Sequence, residues 1–273
     1  MIGRPRFLGA AVIALVVFIW LPLVVVLAFA FNGGSNLSWP LHGLSLRWFR
    51  LIFGDEAFRS GLKASAIAAF ATALVAGAVG TTAAFAFARR PSRLSSALES
   101  GSRIPVMLPP LFIGIALVAA MKTFAIDPSM LTIIAGHVII TTPFVILIVG
   151  ARLRNYDVTV EQAARDLGAT PQTVMRRITL PLVAPSILGA MVVAFAISFD
   201  EVLITNFTSG TTQTLPLFVL SRLHRTIDPS VNAIAAILLL VPWLAVGVTL
   251  LWQRARASRS SAAAPAEELA RAT

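Results

Sequence analysis

The chain has 273 residues, of which 57% are hydrophobic and only 12% charged, and its mean hydropathy is +0.85. Soluble domains run nearer half apolar and a quarter charged, so no stretch here is polar enough to surround a soluble core. The formal net charge of +10 would suggest nucleic-acid binding in a soluble protein, but Lys and Arg also gather in the cytoplasmic loops of membrane proteins; the absence of cysteine excludes a disulfide framework, thiol catalysis and cysteine-ligated metal.

Crossing about 30 Å of hydrocarbon takes roughly 20 mostly apolar residues. Six stretches qualify: 7–31, 62–88, 104–121, 131–151, 183–207 and 231–252. The chain is therefore read as an all-α, polytopic membrane protein with no nucleic-acid partner and with lipid around it. Arg4 and Arg6 precede the first stretch, and Ala28-Phe29-Ala30 has the look of a cleavage site. The apolar run is nevertheless longer than a signal-peptide core and five more spans follow, so it is read as an uncleaved anchor. Pro105, Pro109 and Pro110 interrupt the third stretch. Prolines in membrane helices are tolerated where neighbours satisfy the freed carbonyls, which predicts a buried, broken helix. Pro242 implies a kink in the sixth.

With the N-terminus inside, the inner segments hold fifteen Lys and Arg and the outer ones seven, which predicts both termini in the cytoplasm. No internal repeat is visible, which weighs against many secondary-carrier folds. Residues 1–254 are read as one six-helix domain, and the Ala-, Ser- and Arg-rich residues 255–273 as a disordered cytoplasmic tail.

The inner loop at 152–182 is long enough to carry structure. Val160, Ala163, Ala164 and Leu167 fall at i, i+3, i+4 and i+7, one narrow apolar stripe on a short helix. Thr159 and Gln162 fit a capping box at its start. Gly168 supplies a left-handed residue to end it, and Thr170 followed by Pro171 starts a second helix. That helix is expected to reach about Ile178 and to break before Pro181. A helix–Gly–helix hook with small residues on one face suits docking into a partner's groove; a membrane-surface hairpin with no partner is the alternative.

Gln162-Ala163-Ala164, then Gly168, then Ile178-x-Leu180-Pro181, resembles the EAA loop of ATP-binding-cassette importer permeases, every spacing included. Gln162 stands where that family usually has Glu, with Glu161 one residue earlier. The segments Gly43-Leu44-Ser45-Leu46-Arg47-Trp48-Phe49 and Ser198-Phe199-Asp200-Glu201-Val202 are similar to the spermidine/putrescine branch. The resemblance implies a type I importer permease fold in a bacterial inner membrane, with Glu161, Gln162, Ala163, Ala164, Leu167, Gly168, Ile178, Leu180 and Pro181 as the ATPase-coupling segment. It also implies three kinds of partner: a second, homologous but non-identical permease subunit, an ATPase dimer, and an extracytoplasmic solute-binding protein. No Gly-rich Walker sequence ending in Gly-Lys-Ser/Thr occurs, so ATP and Mg are expected to be used by the ATPase, with no cofactor held by this chain.

Ionisable residues within a span are functional candidates, because hydrocarbon penalises them by a few kcal/mol. Asp200 and Glu201 are read as lining a solute path, with an interfacial pair as the alternative. His137, with Thr141 on the same face, is read as a buried histidine bonded to a neighbouring helix. His42, His137 and His224 show no metal-ligand spacing, and no metal site is expected. Two rival functions remain: an ion-coupled carrier or channel using Asp200 and Glu201 without an ATPase, and an intramembrane enzyme in which His137 and Asp200 converge.

Overall fold

The computed structural model describes residues 6–35, 38–223 and 229–271, and within them the side chains from Leu8 to Ala255. Arg4, His224, Arg225 and Thr273, and the side chains of Arg6, Arg256, Arg259 and Arg271, lie outside the described residues. The described residues form helices and no strand, with α1 at Arg6–Ala30, α2 at Arg47–Gly54, α3 at Glu56–Arg89 and α4 at Arg93–Gly101. Next come α5 (Ile104–Met107), α6 (Pro110–Thr123), α7 (Met130–Arg154), α8 (Thr159–Asp166) and α9 (Pro171–Val174). A π turn at Met175–Thr179 leads into α10 (Leu180–Asp200), followed by α11 (Leu203–Thr208), α12 (Leu215–Leu223) and α13 (Ser230–Arg271).

Five helical stretches are long and apolar enough to span a membrane, six if one bent pair counts as a single span. That pair joins Arg93–Met107 to Pro110–Thr123 at 104°. The bend has a local cause: residues before proline avoid the α region, and Leu108 (ψ 137°) and Pro109 (ψ 135°) are both extended. The third predicted span is thus broken as expected, but it is buried only on the side of Ile113, Gly114 and Met121. Met107 is 81% exposed and Phe112 60%. The prolines need no neighbouring helix, because their missing N–H groups fall at the starts of α5 (Pro105) and α6 (Pro109, Pro110), where no intrahelical partner exists.

Two other expectations change. The fifth span does not run on to residue 207: α10 ends at Asp200, Glu201 turns extended (ψ 116°), and α11 resumes at Leu203. Beyond Ala255, where a tail was expected, the backbone of α13 is helical as far as Arg271.

α3, α7 and α10 pack most closely on one another. Their shared core is small: Ala73, Ala76, Val145, Val149, Val183 and Ala190 are buried in it. Small residues suit membrane interiors, where lipid is as apolar as the core and close backbone approach supplies the attraction. At Gly80 an added Cβ would stand 2.7 Å from the Val145 Cβ, so only glycine fits there.

Towards the other end a second cluster gathers larger groups, among them Trp48, Phe58, Phe199, Phe218 and Ile234. Trp48 donates its indole N–H to the Asn32 carbonyl at 2.8 Å, and the Asn32 side chain accepts from the His42 N–H at 2.7 Å. This folds the Gly43–Phe49 segment back against the end of α1. α1 itself lies against α13, with Trp20 and Trp243 ring centroids 5.9 Å apart.

Candidate functional site

The hook expected between α7 and α10 is present. α8 ends in a Schellman arrangement: Gly168 N–H bonds the Arg165 carbonyl at 2.9 Å and Ala169 N–H the Ala164 carbonyl at 3.0 Å. Gly168 has φ +85°, the left-handed conformation that L side chains resist. Thr170 then caps α9 by accepting the Thr173 N–H, with Pro171 first in the helix.

Two details of the hook depart from expectation. Thr159 and Gln162 form no capping box, because Val158 occupies the cap and Asp157 accepts from both the N–H (3.0 Å) and the hydroxyl (2.7 Å) of Thr159. The chain also does not break before Pro181. Proline removes one N–H and its ring crowds the carbonyl four residues back; the wide π turn at Met175–Thr179 absorbs both effects, and the Leu180 N–H bonds Met175 instead. Ile178 lies half-buried in that turn, and Leu180 and Pro181 are exposed just beyond it.

The hook's apolar stripe faces outward. Val160 is 45% exposed and Leu167 90%, with Gln162 and Ala163 exposed beside them and Ala164 half-buried. Glu161 points the opposite way and is 2% exposed. Its carboxylate takes a two-pronged bond from Arg89, with Nη1 on Oε2 at 2.6 Å and Nη2 on Oε1. The Thr179 hydroxyl donates to Oε1 at 2.6 Å, and Arg165, one turn on, reaches Oε2 at 3.4 Å. The Arg89 guanidinium holds the Glu161 carboxyl below the ordinary carboxylate range, against the desolvation that burial imposes. Arg89 and Thr179 escape sequence reasoning: Arg89 reads there as one of many loop charges, and Thr179 as filler between Ile178 and Leu180.

At the opposite end of the bundle, Asp200 and Glu201 sit where α10 stops. Asp200 is exposed and, among the described residues, makes no side-chain hydrogen bond or ion pair. Glu201 is half-buried and turned back on the chain, accepting the Ile204 N–H at 2.9 Å and so capping α11. His137 is 1% exposed, its Nδ1 2.7 Å from the Ser198 hydroxyl and its Nε2 2.8 Å from that of Thr205. Both ring nitrogens are thus taken, bracing α7 against the last turn of α10 and against α11. It makes no bond to Asp200, so the acid–base pair an intramembrane enzyme would need does not form. Among the described residues, no three His, Asp or Glu side chains converge on a possible metal position.

Residues 76–260 match the family described as binding-protein-dependent transport system inner membrane component. The chain is 33% identical over 230 residues to the putrescine transport system permease protein PotI of Escherichia coli (strain K12), covering 81% of this chain and 82% of that one. It is 28% identical over 243 residues to the spermidine/putrescine transport system permease protein PotC of the same strain, covering 88% and 91%. Among solved structures, a bacterial ABC transporter importing the acidic polysaccharide alginate superposes with a TM-score of 0.65 at 15% identity, over 89% of this chain and 93% of that one. The MetNI methionine ABC transporter gives 0.60 at 16%, over 74% and 98%.

Proposed function

The chain belongs to the family of binding-protein-dependent transport inner membrane components, a permease subunit of an ABC importer, and we propose that its solute is a polyamine such as putrescine or spermidine. The observation that carries the permease assignment is the match across residues 76–260, which takes in the last part of α3, all of α7 and α10, and the whole hook. Two features favour a polyamine: the similarity to the putrescine permease PotI and the spermidine/putrescine permease PotC, and the exposed carboxylate of Asp200 at the end of α10, which has no hydrogen-bond or ion-pair partner among the described residues. A carboxylate facing a partly desolvated path attracts an ammonium group more strongly than it would in bulk water.

The hook lies in the cytoplasm, as do both termini, following the fifteen-to-seven bias of basic residues. Its exposed face at Val160, Gln162, Ala163 and Leu167 enters a groove of an ATPase, one of a pair that binds ATP and Mg. Closure of that pair moves the hook and turns the membrane helices from inward-facing to outward-facing. A second permease subunit, homologous but not identical, completes the path, and an extracytoplasmic binding protein delivers solute to the end carrying Asp200.

The test is reconstitution of the complete importer in liposomes, with ATP hydrolysis measured against putrescine, spermidine, aminobutyrate, phosphonate and ferric iron. Stimulation by the polyamines alone is the expected result; stimulation by another member of the panel replaces the solute. Leu167→Asp, which puts a charge on the exposed apolar face, should cost the complex its ATPase on purification. Retention of the ATPase by that variant sinks the docking of the hook, and uptake that persists without any ATPase favours an ion-coupled carrier.

A further inference from the structure

We propose that Glu161, held by Arg89 and Thr179, is the joint through which movement of the hook enters the membrane helices, a positioning residue and not part of the partner-facing surface. The proposal rests on the reading of the hook as the element an ATPase moves.

The observation behind it is an inversion of the usual burial pattern. A short surface helix is normally anchored by apolar side chains, and the informative exception is a buried charge. Val160 on α8 and Leu167 at its C-terminal cap face solvent, and the one buried residue of the helix is Glu161. No apolar core ties this helix to the bundle; a carboxylate does.

The groups it binds are placed to receive a force. Arg89 is the last residue of α3, and Thr179 is the last of the π turn that opens into α10. α3 and α10 pack together with α7 around the small-residue core. A pull on α8 therefore reaches two of the three core helices through one side chain. The chemistry suits a joint better than apolar contact would. Guanidinium and carboxylate meet in a fixed, two-pronged geometry that resists sliding, whereas packed methyl groups can slip past one another. The π turn beside it breaks the regular α ladder, as such turns often do where a helix must flex at a functional site. Hook movement can thus alter the entry of α10 while Thr179 stays bound.

The test uses the complete importer in liposomes and reads solute taken up per ATP hydrolysed, a ratio that general loss of folded protein leaves unchanged. Glu161→Gln should purify with its ATPase and hydrolyse ATP, but with uptake per ATP reduced about tenfold. Arg89→Met should behave alike, and the exchanged pair Arg89→Glu with Glu161→Arg should recover most of the ratio. A normal ratio in Glu161→Gln overturns the joint, and so does an exchanged pair as uncoupled as the single variants. Loss of the ATPase from Glu161→Gln also overturns it, because Glu161 then serves docking. Leu167→Asp, run alongside, separates the two ideas: it fails to lose its ATPase only if the docking reading itself is wrong.

Discussion

At the scale of single residues, adjacent acids take unlike roles because the backbone between them changes direction. Asp200 is the last residue of α10, while Glu201 is extended and spends an oxygen on the first turn of α11. Two acids that read alike in the sequence thus part into an exposed charge and a helix cap. The expected outcome for Asp200→Asn is a clear fall in uptake of a cationic solute at limiting concentration, with expression matched to wild type. Glu201→Gln should have the smaller effect, since an amide oxygen can still accept from Ile204. Equal, normal uptake by both variants would remove Asp200 from the path and leave the cation argument on likeness to relatives alone. His137 shows the same economy: both nitrogens are satisfied within the bundle, so its burial needs no chemistry beyond bracing.

Among the elements, the hook depends most on one backbone conformation. Gly168 at φ +85° reverses the chain between α8 and α9, and a Cβ there would meet nothing within 4 Å. Substitution is therefore a question of backbone strain alone, roughly 1–2 kcal/mol for an L residue held left-handed. Gly168→Val should lower both transport and co-purification of the ATPase, while Gly168→Asn, which tolerates that region better, should fall between it and wild type. Normal transport by the valine variant would show that the hook's shape is immaterial to coupling. The other broken elements follow equally local causes. Consecutive prolines separate α5 from α6, and Pro181 forces a π turn where an α turn would have crowded its ring.

Across the whole molecule, orientation decides whether the hook can meet an ATPase at all. The charge bias predicts that it lies inside, together with the α4 segment and the C-terminus. An epitope inserted after Ser38 should be reachable in intact spheroplasts, and epitopes at Ser96 or Thr273 only after permeabilisation. The opposite pattern would invert the chain and take the hook away from its proposed partner. The exposed face of α5 and α6, with Met107 and Phe112 outward, fits a subunit that works beside a second permease.

Much of this was legible in the sequence because its causes are local. Span positions follow from the length of apolar runs against a fixed hydrocarbon thickness. The turn at Gly168 and the start of α9 follow from backbone sterics within a few residues. The spacing from Gln162 to Pro181 carried the likeness to importer permeases. Helix ends proved less readable: the Thr159–Gln162 capping box and the break before Pro181 were both local expectations, and each lost to a neighbour, Asp157 in one case and the π turn in the other. What only the tertiary structure decided is where side chains find partners far along the chain. Glu161 meets Arg89 across 72 residues, and His137 meets Ser198 and Thr205 across 61 and 68. Periodicity ranks residues by the face of their own helix, and a charge on α8 looks solvated by that measure. Which face is buried depends on what the rest of the bundle presents to it, and here the bundle presents a guanidinium.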